Sequence, residues 1–339
     1  MSLTDVEVQL RTEVPLAYRD ALSRVAFPME RLRSLAKPRP WRTVLEMLMS
    51  FGSLLTVPFV YAVYPHPLTF VASFILSLRT FSCFAQLVHT SDHGGLFQSP
   101  RLNMIAGNLC AYCLGYTRTG HRLTHLNHHV FLNRANDPDR IWGAPEQAAR
   151  DLLRMWLKDF LLVSALARIL QYSQSDRKTF SVVPWRRLNV SFFVSGLRSM
   201  WPVLVVQSVI VAYYSVVLGP TYYLFFYVFP IVTLYPAVIR LRTTVEHSFD
   251  VGFSPKAAED YWVTRSTRGT VMERFLFSPL GIHHHFEHHL FPSIPHHNLT
   301  KVHQLLMESS FPIPIVPSYI GFVIGKIRAE LALRQSVPR

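Results

Sequence analysis

Residues 68–93 read LTFVASFILSLRTFSCFAQLVHTSDH. The run Leu68 to Val88 carries one charge, Arg79, and has the roughly 20 residues that a helix needs to cross the hydrocarbon core of a bilayer. Its last five residues, HTSDH, place His89 and His93 four apart. Positions i and i+4 share one helical face, so both imidazoles can reach one metal ion. A membrane span that delivers two ligands at its end sets the frame for the rest of the chain.

Three more windows have the length and apolarity of spans: Val44 to Tyr64, Met200 to Leu218, and Tyr222 to Ile239. With Leu68 to Val88 they form two hairpins, which predicts an all-α integral membrane fold of four transmembrane helices. Composition agrees. Half of the 339 residues are hydrophobic and only 16% are charged, where soluble proteins average about a quarter. The hairpin turns Pro65 to Pro67 and Gly219 to Thr221 hold no Lys or Arg, whereas residues 1–43 hold eight, His89 to Arg198 fourteen, and the tail after Arg240 ten. Positive-inside reasoning therefore puts both termini and the long central segment in the cytoplasm. The same bias accounts for the excess of 34 basic over 21 acidic residues. No groove-reading motif accompanies it, so no nucleic-acid partner is expected.

The stretches Leu102 to Tyr116 and Leu152 to Leu170 are too short or too charged to span and are expected at the interface. Glu46 can reach the surface near its helix end, while Arg79, at mid-span, should face protein or a polar cavity. Cys83, Cys110 and Cys113 lie in apolar surroundings and read as packing residues. The first forty residues hold no apolar core of signal-peptide type, so the first hydrophobic helix is expected to direct insertion. The chain reads as a cytoplasmic N-terminal segment (1–43), a membrane domain (44–306) and a cytoplasmic C-terminal segment (307–339) with an amphipathic helix around Ile320 to Leu333.

Sixteen histidines are many for this length, and their spacing says more than their number. HRLTHLNHH contains His121, His125, His128 and His129, the last three at i, i+3 and i+4. HHHFEHH repeats that spacing in His285, His288 and His289, with His283 and His284 before them. His247 stands alone after the fourth span. Isolated histidines such as His66 and His303 read as capping or surface residues. The grouped ones should converge, and eight or nine imidazoles over-supply one ion but suit two. Imidazole leaves the metal open among zinc, copper, iron and nickel. Asp92, Asp137, Asp139, Glu246 and Glu287 lie near the groups and are candidates for orienting imidazole rings, although Asp137 and Asp139, in NDPD, read first as turn residues.

The ordered boxes HTSDH, HLNHH and HFEHH, with the flanks HLNHHVFLNRANDPD and HFEHHLFPSIPHHNL, resemble the membrane fatty acid desaturase superfamily over roughly Thr80 to Leu306. The resemblance implies a histidine-rich di-iron cap on the cytoplasmic side, with two Fe ions bound by His89, His93, His125, His128, His129, His247, His285, His288 and His289. His121, His283 and His284 fall outside the family pattern, and Thr243 stands where some relatives have asparagine. Asp92, Glu246, Glu287 and His296 are expected to support the ligands. The implied reaction uses O2 to break an unactivated C–H bond, giving an alkene by desaturation or an alcohol by hydroxylation.

An acyl-chain desaturase is the preferred function, acting on a membrane lipid or an acyl-carrier-linked substrate. The alternatives are a hydroxylase or ketolase of a lipid, carotenoid or specialised metabolite, and, more remotely, a metal or proton transporter. A transporter would place histidines inside the spans, and the four windows contain none. Without a G-x-G-x-x-G fingerprint or a fused haem motif, electrons are expected from an external donor of ferredoxin or cytochrome b5 type with its reductase.

Overall fold

The computed structural model describes residues 27–132, 137–141, 149–164, 190–247 and 264–336. Residues 1–26 of the expected N-terminal segment and 165–170 of the second expected interfacial stretch lie outside the described residues. Contacts divide the chain into a span unit (Arg39–Asn127 and Lys158–Ala237) and a terminal unit (Met1–Pro38, His128–Leu157 and Val238–Arg339).

After a short helix α1 (Met29–Leu35), the span unit opens with α2 (Pro40–Val63) and α3 (Pro67–Asp92). Proline begins both, at the position where a missing N–H costs nothing. His66 caps α3: its Nδ1 accepts from the Leu68 N–H and the Thr69 hydroxyl accepts from its own N–H. Pro58, inside α2, has no N–H to offer the Leu54 carbonyl four residues back. The Tyr214 hydroxyl donates to that carbonyl at 2.8 Å, and Tyr213 donates to Leu55 O at 2.8 Å.

Helix α4 (Pro100–Cys113) is capped by Ser99 and crosses α3 closely. A Cβ on Gly107 would lie 2.1 Å from Ser91 Oγ and 2.5 Å from Arg118 Cδ, so only glycine fits this crossing. The last carbonyls of α4 are satisfied by side chains: Gln207 donates to Tyr112 O and the Tyr227 hydroxyl to Cys113 O, each at 2.6 Å. Helix α5 (Arg118–Phe131) follows, and α6 (Ala149–Phe160) exposes Leu153, Leu157 and Phe160.

The second hairpin is α7 (Val190–Tyr213), prolonged by a π-helical turn to Leu218, and α8 (Pro220–His247), which includes π-helical turns at Leu224–Val228 and Pro230–Leu234. Phe70 and Phe74 of α3 meet Phe225, Phe226 and Phe229 of α8 with ring centroids 5.4–6.0 Å apart.

Among the described residues four helices are long and apolar enough to cross a membrane: Pro40–Val63, Pro67–Asp92, Met200–Leu218 and Pro220–His247. The expected four-helix, two-hairpin membrane fold is therefore observed, with one correction. The second and fourth helices continue beyond the expected windows, so His89 and His247 sit in their last turns rather than after them. At about 1.5 Å per residue, helices of 26 and 28 residues outrun a ~30 Å hydrocarbon core. Arg79 and Glu46 both lie in the electrostatic neighbourhood of Cys83, and Arg42 pairs with Glu46 at 3.0 Å.

The terminal unit is built from short pieces. Strands β1 (Ser266–Thr267) and β2 (Ile315–Val316) pair in parallel, Ser266 opposite Ile315. They are accompanied by α9 (Val271–Phe277), α10 (His285–Leu290), α11 (Leu299–Glu308) and α12 (Tyr319–Ser336). Six residues are too few for a helix to stand alone, and α10 is held by its burial. Phe286 and Leu290 pack with Leu32, Phe291, Ile294, Leu299, Val302, Leu306 and Phe311. Asn298 donates to Leu35 O at 2.7 Å, tying α1 to this core. In α12 the expected amphipathic helix is present but is not amphipathic: Tyr319 and Val323 are buried, Ile320, Ile324 and Leu331 are exposed, and Lys326 and Glu330 are half-buried. Apolar residues thus occupy both its packed and its open sides.

Candidate metal centre

In the span unit α3 presents His89 in its last turn and His93 at its C-terminus, and α5 presents His121 and His125. The Nε2 atoms of His93 and His125 are 2.8 Å apart, and the His89 ring lies 4.2 Å from that of His125. One ligand atom from each of these three residues falls within 4.8 Å of the others. The helix junction is locked by Asp92. Its carboxylate accepts from His121 Nδ1 at 2.6 Å and pairs with Arg118 Nε at 3.3 Å, while Arg122 donates to its carbonyl at 3.0 Å. The His121 ring stacks between those of Tyr116 (5.5 Å) and His125 (5.7 Å).

In the terminal unit the ligand atoms of His128, His247 and His289 lie within 4.8 Å of one another. His285 joins them, its Nε2 standing 2.8 Å from His247 Nε2 and 3.0 Å from His289 Nε2. His129 and His288 form a further pair at 3.2 Å between Nε2 atoms. Leu280 and Gly281, both with positive φ (58° and 83°), turn the chain into the third box, and a Cβ at Gly281 would meet the His296 carbonyl at 3.2 Å.

The chemistry of these contacts fits a cation. His128 Nδ1 donates to Asp137 Oδ1 at 2.9 Å, and His285 Nδ1 lies 3.6 Å from Glu246 Oε2. A proton on Nδ1 leaves the Nε2 lone pair facing inward. Nε2 atoms gathered to within 2.8–3.2 Å of one another form donor sets that a positive ion among them would satisfy. Burial favours the neutral form of His93, His285 and His289. His93 is pushed down to about 3 by burial, reinforced by Arg122, His121 and Arg118. His285 and His289 lie well below the usual range through burial and neighbouring imidazoles. His128 runs the other way: burial alone would lower it, but Asp139 and Asp137 together raise it.

Each of the nine box histidines thus has another as a close neighbour within its own unit. Asp137, read from sequence as a turn residue, holds both roles, because the same Oδ1 accepts the Asp139 N–H at 2.8 Å and the His128 ring. Its spacing of nine from His128 carries no helical signal. Asp92 meets His121 rather than His89 or His93, and so reaches His125 only through a stacked ring. Glu246 lies beside His285 and is fixed by Arg242 (3.1 Å) and Tyr319 (2.7 Å). Glu287 touches no box histidine: it is met by Ser266, His303 and, at 3.9 Å, His284. His303, read as a surface residue, is therefore half-buried against a carboxylate. His296 is buried in a turn with its ring against His297 (5.3 Å).

These features define a membrane protein whose histidine clusters could hold metal ions. The family model of the fatty acid desaturases matches residues 65–312, well over half of the chain, and the chain belongs to that family. No curated protein matches the sequence. Membership makes it an oxidoreductase of the desaturase or hydroxylase type.

Proposed function

We propose that this protein is an O2-dependent di-iron desaturase that introduces a double bond into a fatty acyl chain, with His89, His93, His125, His128, His129, His247, His285, His288 and His289 as ligands. The observation that carries this reading is the convergence of the Nε2 atoms of the box histidines, 2.8–3.0 Å apart, in a chain of this family. Iron supplies what no side chain can near neutral pH, the activation of O2 for attack on an unactivated C–H bond. The chain's own groups prepare the place. Asp137 fixes the tautomer and the aim of His128, and Glu246 stands behind His285. Phe286 and Leu290, fully buried, keep water from the third-box helix.

The substrate is a lipid or an acyl chain on a carrier, because α4 offers an apolar outer face of Leu102, Met104, Ile105 and Leu109. Electrons come from a separate ferredoxin or cytochrome b5 type donor with its reductase. An excess of 34 basic over 21 acidic residues suits an acidic donor. The metal site and both termini face the cytoplasm, so a tag after Pro65 is labelled only from the opposite side.

The test is lipid profiling by mass spectrometry of cells expressing the wild type or His288→Ala, with donor and reductase supplied. A His288-dependent product lighter by two hydrogens establishes desaturation. One heavier by an oxygen replaces it with hydroxylation, and no His288-dependent product overturns the enzymatic reading.

A further inference from the structure

The third box carries chemistry that the nine ligands do not use. His284 precedes the box, Glu287 lies within it, and His303 projects from α11, and one donor atom from each falls within 4.8 Å of the other two. Glu287 is fully buried. Ser266 Oγ and His303 Nδ1 donate to its two oxygens, and among the described residues no Lys or Arg pairs with it. A carboxylate out of water and answered only by a hydroxyl and an imidazole is costly to bury. His284 Nδ1 is buried without a hydrogen-bond partner among the described residues. It lies 3.9 Å from Glu287 Oε2, too far for a hydrogen bond. That distance is ordinary for two ligands of one ion, since bonds of about 2.0–2.2 Å put ligand atoms roughly 3–4 Å apart. Two imidazoles and one carboxylate form a set that binds zinc or ferrous iron and leaves a position for water. The side chains of His303 and His284 are 19% and 10% exposed, which gives an ion a way in.

We propose that His284, Glu287 and His303 form a metal site separate from the nine box histidines, taking one divalent transition ion that neutralises Glu287 and fastens α10 to α11. The full chain in detergent, stripped with a chelator and reloaded with Zn2+ alone, is compared by elemental analysis with His284→Ala and His303→Asn. The asparagine amide can replace the Nδ1–H donor to Glu287 but is a poor metal ligand. Each variant should bind one Zn2+ per chain fewer than the wild type, whatever number the other histidines hold, and His288→Ala should keep the ion lost from His303→Asn. Equal metal content in His303→Asn and wild type overturns the proposal and leaves Glu287–His303 as a hydrogen bond only. If His303→Ala loses all metal and His303→Asn restores the wild-type count, the pair is a clamp and the site is likewise refuted. The reading counts ions at these three residues, so it stands or falls independently of the desaturase assignment.

Discussion

The two histidine clusters are held in opposite ways. In the span unit, His89 and His93 end a helix long enough to be fixed by the membrane, His125 rides on the shorter α5 joined to it through Asp92, and the charges around them are Arg118 and Arg122 gathered on Asp92. In the terminal unit the box histidines ride on a six-residue helix and on the ends of α5 and α8, and the charges beside them are Asp137, Asp139 and Glu246, the last paired with Arg242. One set is rigid by length and surrounded by cations. The other is rigid by packing and backed by carboxylates, which raise ligand basicity. Chemistry that needs electron-rich ligands should therefore depend more on the terminal unit's supporting residues than on those of the span unit.

The largest expected effect tests the common ground. His128→Ala or His93→Ala should abolish turnover and reduce bound iron while leaving the protein in the membrane. Full activity in either variant would remove that residue from the ligand set. The comparison itself is sharpened by the supporting carboxylates. Asp137→Ala should lower metal affinity or turnover about 10–100-fold, the usual cost of losing a partner to a ligating histidine. Asp92→Asn should cost less, because Asp92 touches only His121 and the arginines. Equal losses in metal titrations would show that stacking through His121 orients His125 as firmly as a direct hydrogen bond orients His128.

Gly107 tests rigidity by length. Gly107→Ala pushes a methyl into Ser91 and Arg118 and should destabilise the span unit by about 1–3 kcal/mol, read as a lower thermal midpoint. It should also disturb His93 through the Asp92–Arg118 pair. A stability loss with unchanged metal affinity would show that this helix crossing and the ligands are independent.

The difference between the units also explains what could be read from sequence. The spans were legible because lipid demands about 20 apolar residues, a pattern local in sequence, and the box spacing was legible because i, i+3 and i+4 define one helical face. The ends of α3 and α8 were not, since a helix leaving the bilayer is no longer obliged to be apolar. His303 and Ser266 escaped for another reason: they reach Glu287 from 16 and 21 residues away, in turns and short elements with no period. Asp137 was visible but ambiguous, because a turn aspartate and a ring-orienting aspartate look alike until the ring is seen beside it.

The smallest effect separates the clusters by sign in the metal-free protein. His93 has a folded-state pKa far below the unfolded value of about 6.5, so the unfolded chain takes up the proton first, and stability is lost as pH falls below about 6.5. His128 has a raised folded-state pKa, so its contribution is complete below about 6.5 and is lost as pH rises through the folded value. His285 and His289 follow His93, and the chelated protein should therefore lose stability on acidification from pH 8 to 5. His93→Gln should flatten that decline and His128→Gln should steepen it, each by something on the order of 1 kcal/mol. Thermal midpoints measured across this range decide the matter. If the two variants shift the slope in the same direction, the carboxylates do not govern the terminal cluster and the contrast between the units fails.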